Sequence, residues 1–342
     1  MADSQQSMVR DRLGLGEQYD AWLQRLRELG PPPNGLSLPG GGDAEALLAR
    51  LGIDEPDRSE IVGALPSPEG QPELWWLLER AYNQVRSDVG QWDAPIGPRP
   101  GLPDELGVQG RCFWLFAYVA AVDDVRRFHA SRGVPDDVSW ATLADLGRHV
   151  ATYRKRHGTA GFESQFWLTA HFRGALYELS RLQFNPYHLL SGPAGPLFWY
   201  DEAEVDRRGD GFRAGDPALG VHVPAAGPLT PESVDRSLAE VRPFFSAHFP
   251  EHRFRVVTCT SWLLDEQLAE YLPPTSGIVR FQSRFELVPG VREADDAMFY
   301  YVFGGVPKSL DDVPAETELE RAVVRHVREG RHWHLRTGWI EV

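Results

Sequence analysis

At 342 residues the chain is long enough for two domains, each burying its own core. Its 49 acidic against 35 basic residues give a formal charge of −14. The acidic excess is similar in both halves, which argues against a nucleic-acid partner. An apolar content of 42% excludes a disordered chain, and only two cysteines, Cys112 and Cys259, exclude a disulfide scaffold or a cysteine-rich zinc site.

The chain opens on polar and charged residues without the apolar core of a signal peptide. Its longest apolar run, residues 112–122, is too short for a bilayer, which needs about 20 residues. The expectation is a cytoplasmic protein without a membrane span. Tyr19, Trp22, Leu23 and Leu26 recur at helical spacing, as do Leu74, Leu77, Leu78 and Tyr82. Proline and glycine clusters at 31–33 and 39–42 interrupt them. Phe113, Trp114, Phe116, Ala117 and Ala120 predict a helix buried nearly all round. A further amphipathic helix ends in Arg154, Lys155, Arg156, His157 and Gly158, where cations before a glycine suit a helix C-terminus better than a binding patch.

Near residue 175 the pattern changes. Leu182 and Phe184 alternate with polar neighbours as a strand does, and residues 196–200 and 219–223 predict two more strands around an open loop at 206–216. A helix is predicted from Thr230 as N-cap, with Pro231 in its first turn and a kink at Pro243. Then come a strand at 254–259, a helix at 261–272, a half-buried strand over 279–287 and an apolar strand at 298–303. Thr317 and Glu320 form a capping-box pattern before a helix, and residues 333–342 close as a strand. The expected division is therefore a mostly helical domain at 1–172 and a mixed α/β domain at 173–342.

Several residues invite a chemical reading. Arg280 and Arg284, on one face of the expected strand, offer planar forks for a phosphate, although a solvated strand face explains them more simply. Cys259 and Ser261 flank a strand end and are candidate nucleophiles. No Gly-x-Ser-x-Gly elbow surrounds either, and Ser261 suits a helix N-cap. His332 and His334 share a strand face, but no third ligand can be named, so no metal is expected. The acidic pairs at 123–124, 295–296 and 311–312 read as solvated turns. The eleven tryptophans suit either an acyl tunnel or, more simply, large core residues.

Sequence detail adds a family. Gly133-Val134-Pro135, Asp145-Leu146-Gly147-Arg148-His149, Trp167 through Gly174, and Arg181-Leu182-Gln183-Phe184 act together with later segments. These are Val221-His222-Val223-Pro224, Ser261-Trp262-Leu263-Leu264-Asp265, Ile278-Val279-Arg280-Phe281-Gln282 and Thr337-Gly338-Trp339-Ile340. From about residue 100 onward the chain resembles a bacterial acyltransferase family that joins an N-terminal helical N-acyltransferase domain to a C-terminal GNAT-like domain. The element order of the second half agrees with the later part of that fold.

The resemblance implies a central mixed β-sheet flanked by helices, and acyl transfer from acyl-CoA, or another acyl thioester such as an acyl carrier protein, to an amine. The acceptor would be a small molecule or a peptide. A non-catalytic GNAT-like protein binding an acylated or peptide partner is the rival reading. By analogy with the fold, His222 is the candidate base, and Val223, Ala226, Gly227 and Thr230 belong to the segment that would seat the donor at a helix N-terminus. The usual Gln/Arg-x-x-Gly-x-Gly/Ala pyrophosphate pattern does not occur, and Pro228 and Pro231 each remove a donor. The family pattern also carries Ser-Asn-Ile where this chain has Ser276-Gly277-Ile278.

Overall fold

The structure is a computed structural model, and it describes residues 2–189 and 213–342, with the side chains of 2–5 and 312 left aside. The expected strand at 196–200 and most of the loop at 206–216 lie outside the described residues. The chain divides into two compact units, Met1–Tyr177 and Glu178–Val342.

Unit one is helical. Trp22, Leu23 and Leu26 face inward from the Asp20–Leu29 helix, and Leu74, Leu77 and Leu78 from Pro72–Asp88, as their spacing predicts. They pack on the Phe113–Ser131 helix, whose residues from Phe113 to Val119 are all buried. Gly147, in the Asp145–His157 helix, allows that helix to press on the chain at Gly52: its N–H donates to Leu51 O at 3.0 Å, and a Cβ there would lie 2.0 Å from Gly52 O. The same helix ends at Gly158, whose φ of 73° is the left-handed conformation a terminal glycine supplies. Its basic residues are tied locally: Arg154 Nε reaches Asp57 at 2.6 Å and its Nη2 reaches Glu60 at 2.8 Å.

Unit two is built on a seven-stranded mixed sheet in the order β1-β2-β3-β4-β7-β5, with β6 also on β7. The strands are β1 (Tyr177–Leu179), β2 (Leu182–His188), β3 (Pro217–His222), β4 (Val256–Ser261), β5 (Glu286–Leu287), β6 (Arg292–Glu293) and β7 (His334–Glu341). β3 and β4 pair in parallel, whereas β2–β3, β4–β7, β5–β7 and β6–β7 are antiparallel. The Pro231–His248 helix runs through Pro243, and Val234, Val241, Phe244 and Phe245 are its buried side. Its Ser237 hydroxyl accepts the N–H groups of Arg181 (2.8 Å) and Leu182 (3.2 Å), fastening the β1–β2 turn to the helix. The capping box of Thr317 and Glu320 is formed and opens the Glu318–Arg328 helix.

Three expected elements are different. Residues 298–303 form the end of a helix, Asp295–Phe303, in which Met298 and Phe299 are buried while Tyr300 and Tyr301 are exposed. Two aspartates at its start favour a helix N-terminus, and the burial follows a helical stripe. The expected strand at 279–287 is a helical turn, Gly277–Gln282, followed by the two residues of β5. The expected helix at 261–272 is two 3-10 segments, Trp262–Leu264 and Glu266–Glu270, each opened by a side-chain cap from Ser261 or Asp265.

Candidate active site

The candidate site lies where the parallel β3–β4 pair parts. The β3–β4 register consists of Leu219↔Val257 and Gly220↔Thr258, whereas β4 continues to Ser261 in register with β7 alone. Beyond Gly220, β3 runs on through Val221 and His222 into the loop 223–230 and the Pro231–His248 helix. An opening between parallel strands places backbone groups and the side chains at the strand ends around one space.

His222 is half-buried, and its Nε2 lies 2.7 Å from Asn185 Oδ1. Asn185 is on β2, opposite Gly220 rather than His222, so its side chain must cross one residue pair to reach the ring. Gly220 makes that crossing possible: a Cβ there would lie 2.5 Å from Asn185 Oδ1. With the amide oxygen as acceptor, the imidazole carries its proton on Nε2 and its basic lone pair on Nδ1. Neither Asn185 nor Gly220 was singled out from the sequence, because only the strand register brings them to His222.

The segment expected to seat the donor, residues 223–230, is shaped from three sides. Gly227 has a φ of 61°, which favours glycine. The Thr230 hydroxyl accepts the Ser233 N–H at 3.2 Å, so this side chain caps the helix. Arg181, in the turn before β2, donates to three loop carbonyls: Pro224 at 3.0 Å, Gly227 at 3.1 Å and Pro228 at 3.2 Å.

Arg280 and Arg284 do not share a strand face; they stand four apart in and just beyond the Gly277–Gln282 turn. Arg284 is committed to the neighbouring helix, with Asp235 Oδ1 at 2.6 Å from Nη2 and 2.9 Å from Nε, while Arg280 is exposed. Cys259 is buried, which pushes its thiol up to about 12 and leaves it protonated at neutral pH. Ser261 Oγ accepts the Leu263 N–H at 3.1 Å as a cap. Among the described residues neither has the activating neighbour a nucleophile needs.

The Ser276-Gly277-Ile278 variation has a structural reason. Gly277 touches the end of the donor segment so closely that a Cβ would lie 2.0 Å from Leu229 O and 3.0 Å from Leu229 C. We expect Gly277→Asn to displace that segment, costing about 1–3 kcal/mol of stability by overpacking and raising the KM for the acyl donor more than that for the acceptor. Initial rates with each substrate varied in turn check this.

His332 and His334 do not converge. His332 Nδ1 lies 2.7 Å from Asp295 and 3.4 Å from Glu293, whereas His334 Nδ1 lies 3.0 Å from Gln267 Nε2. Asp295 is thus not a solvated turn residue; its other oxygen accepts the Trp333 N–H at 2.7 Å. Glu293, Asp295 and His332 bring their ligand-type atoms within 4.8 Å of one another, a grouping not visible from the sequence. The Asp295 hydrogen bond and the Glu293 charge raise the His332 pKa. Away from the strand opening, by the start of β4, Val241, Phe245, Arg253 and Phe254 line a depression of about 740 Å³.

The comparisons agree with this fold. A family described as GNAT-like C-terminal domain matches residues 176–340, and one described as N-acyltransferase N-terminal domain matches residues 42–174. A search of curated proteins returned no match. Among solved structures, an acyltransferase in complex with decanoyl-CoA and teicoplanin is 42% identical, with a TM-score of 0.88 over 98% of this chain and 99% of that chain. An acyltransferase with CoA and 10C-teicoplanin, and an acyltransferase mutant with octanoyl-CoA, are each also 42% identical, with TM-scores of 0.87 and the same coverage.

The fold and these likenesses define an acyltransferase of the GNAT type that uses acyl-CoA as co-substrate. The chain belongs to the family that joins an N-acyltransferase N-terminal domain to a GNAT-like C-terminal domain. Among the described residues no helix is long and apolar enough to cross a membrane.

Proposed function

We propose that the chain transfers a medium-length acyl group from acyl-CoA to an amine of a glycopeptide acceptor, with His222 as general base. The observation that carries this reading is His222, oriented by Asn185, at the end of β3 immediately before the donor segment. The choice of acyl length and acceptor rests on the octanoyl-CoA, decanoyl-CoA and teicoplanin bound by the similar enzymes. Val223 and Gly227 supply backbone to the donor; Ala226, whose N–H donates to Pro224 O at 2.8 Å, shapes the loop, and Thr230 shapes the helix start that follows.

In this mechanism the unprotonated amine attacks the thioester carbonyl. The C–N bond forms, the amine proton passes to His222 Nδ1, and the C–S bond breaks to release CoA as its thiol once protonated. The Val223 N–H, first past β3, stabilises the oxyanion. No covalent enzyme intermediate is required, in keeping with the buried Cys259 thiol and the capping role of Ser261.

The test is thiol release from octanoyl- and decanoyl-CoA with teicoplanin, and with the same glycopeptide after its free amine has been blocked. Release that needs the free amine, with one acyl group added to the acceptor by mass, is the expected result. Equal release with the blocked acceptor would make the enzyme a thioester hydrolase and defeat the proposal.

A further inference from the structure

We infer that Arg181 is a positioning residue for the acyl-CoA pyrophosphate, taking over from outside the loop what a Gly-rich sequence ordinarily does within it. This rests on the reading of residues 223–230 as the donor segment. The loop has few N–H groups left for an anion: Pro228 and Pro231 have none, the Ala226 N–H donates to Pro224 O at 2.8 Å, and the Ser233 N–H is already taken by Thr230. A bare loop of this composition would turn carbonyl oxygens as readily as N–H groups toward a phosphate.

Arg181 removes that ambiguity. Its Nη1, Nη2 and Nε donate to the carbonyls of Pro224, Gly227 and Pro228, drawing three oxygens to one side. In a trans peptide the N–H points opposite to its C=O. The Ala225 and Leu229 N–H groups are therefore directed away from the guanidinium, and neither has an acceptor among the described residues. Two outward donors with a permanent positive charge behind them make an anion seat. The turn that carries Arg181 is itself fixed, since Ser237 accepts its backbone N–H and Ser180 Oγ donates to Glu240 at 2.8 Å. A planar fork of five donors can satisfy three carbonyls of one loop at once.

The experiment compares acyl-CoA with the acyl-pantetheine of the same chain length, which keeps the thioester and lacks the pyrophosphate. For the wild-type enzyme the ratio of the two kcat/KM values measures what the pyrophosphate contributes. In Arg181→Gln that ratio is expected to fall roughly 10- to 100-fold, as for loss of a charge-assisted contact. The fall should appear mainly in the KM for acyl-CoA. Arg181→Lys, with charge but no fork, is expected to recover part of it. Acyl-pantetheine turnover by the variants verifies that they are folded.

A ratio preserved in Arg181→Gln overturns the proposal while leaving the donor segment in place. Equal loss with both donors also overturns it, because Arg181 would then serve the fold and not the pyrophosphate. A wild-type ratio near one overturns the donor-segment reading, and the role of Arg181 with it.

Discussion

His222→Ala is expected to lower kcat by about 10²- to 10⁴-fold, the usual contribution of a positioned general base. The KM for acyl-CoA should change little, because the proposed mechanism holds the donor by backbone of the following loop and not by the imidazole. The pH profile gives the sharper signature. A base works only when unprotonated, so wild-type kcat/KM falls on the acid side as the base takes up a proton. In the variant that limb should disappear, leaving only the ionisation of the acceptor amine. Asn185→Ala should show a smaller loss with the acid limb still present, since the ring remains but is no longer held through Nε2. A variant that keeps wild-type turnover at saturating amine, with the acid limb intact, would remove His222 from the mechanism.

The part of this site carried by local chemistry was legible in the sequence. Thr230 followed by Pro231 marks a helix start whatever surrounds it, and the capping box of Thr317 and Glu320 does the same. The GNAT-like resemblance was carried by short motifs, several of which have a structural task. Asp265 caps a 3-10 turn, Gln282 Nε2 donates to the carbonyls of Leu263 and Asp265 at 2.8 Å each, and Arg181 holds the donor loop.

What the sequence hid is of two kinds. Residues four apart lie on one face of a helix and also on one face of a strand. Phe281 and Phe285, with ring centroids 5.0 Å apart, and Arg280 with Arg284 therefore fitted a strand as well as the turn they form. The second kind is non-local. Asn185, Gly220 and His222 meet only through the β2–β3 register, and the Arg181 contacts span more than forty residues of chain. No spacing in the sequence encodes such a meeting.

The largest stability effect is expected in the first unit, at Asp145→Ala. Asp145 is 2% exposed and His171 fully buried, with Nε2 2.9 Å from the carboxylate. Arg148 Nε lies 2.5 Å away and His149 Nε2 3.4 Å. Burial by itself would raise the pKa of this carboxyl. The close approach of His171, His149 and Arg148 overcomes that and holds it far below the ordinary carboxylate range. Removing the carboxylate strands its buried partners, which typically costs about 3–5 kcal/mol. For a unit of this size that corresponds to a loss of roughly 10 °C in melting temperature.

The pH dependence has a definite sign. A carboxyl whose folded pKa is depressed contributes its full stability above its unfolded pKa of about 3.9, and loses it as pH falls further. The gap between wild type and Asp145→Ala should be constant at neutral pH and close only below about pH 4. His129, whose pKa burial lowers to about 4, weakens both proteins alike as pH falls from 6.5, so its contribution cancels from the difference between their curves. Urea midpoints measured across that range are the check. A variant within 1 kcal/mol of wild type at pH 7 would mean that the helices relax to bring solvent to His171, and that the Asp145–His171 pair is not what holds them.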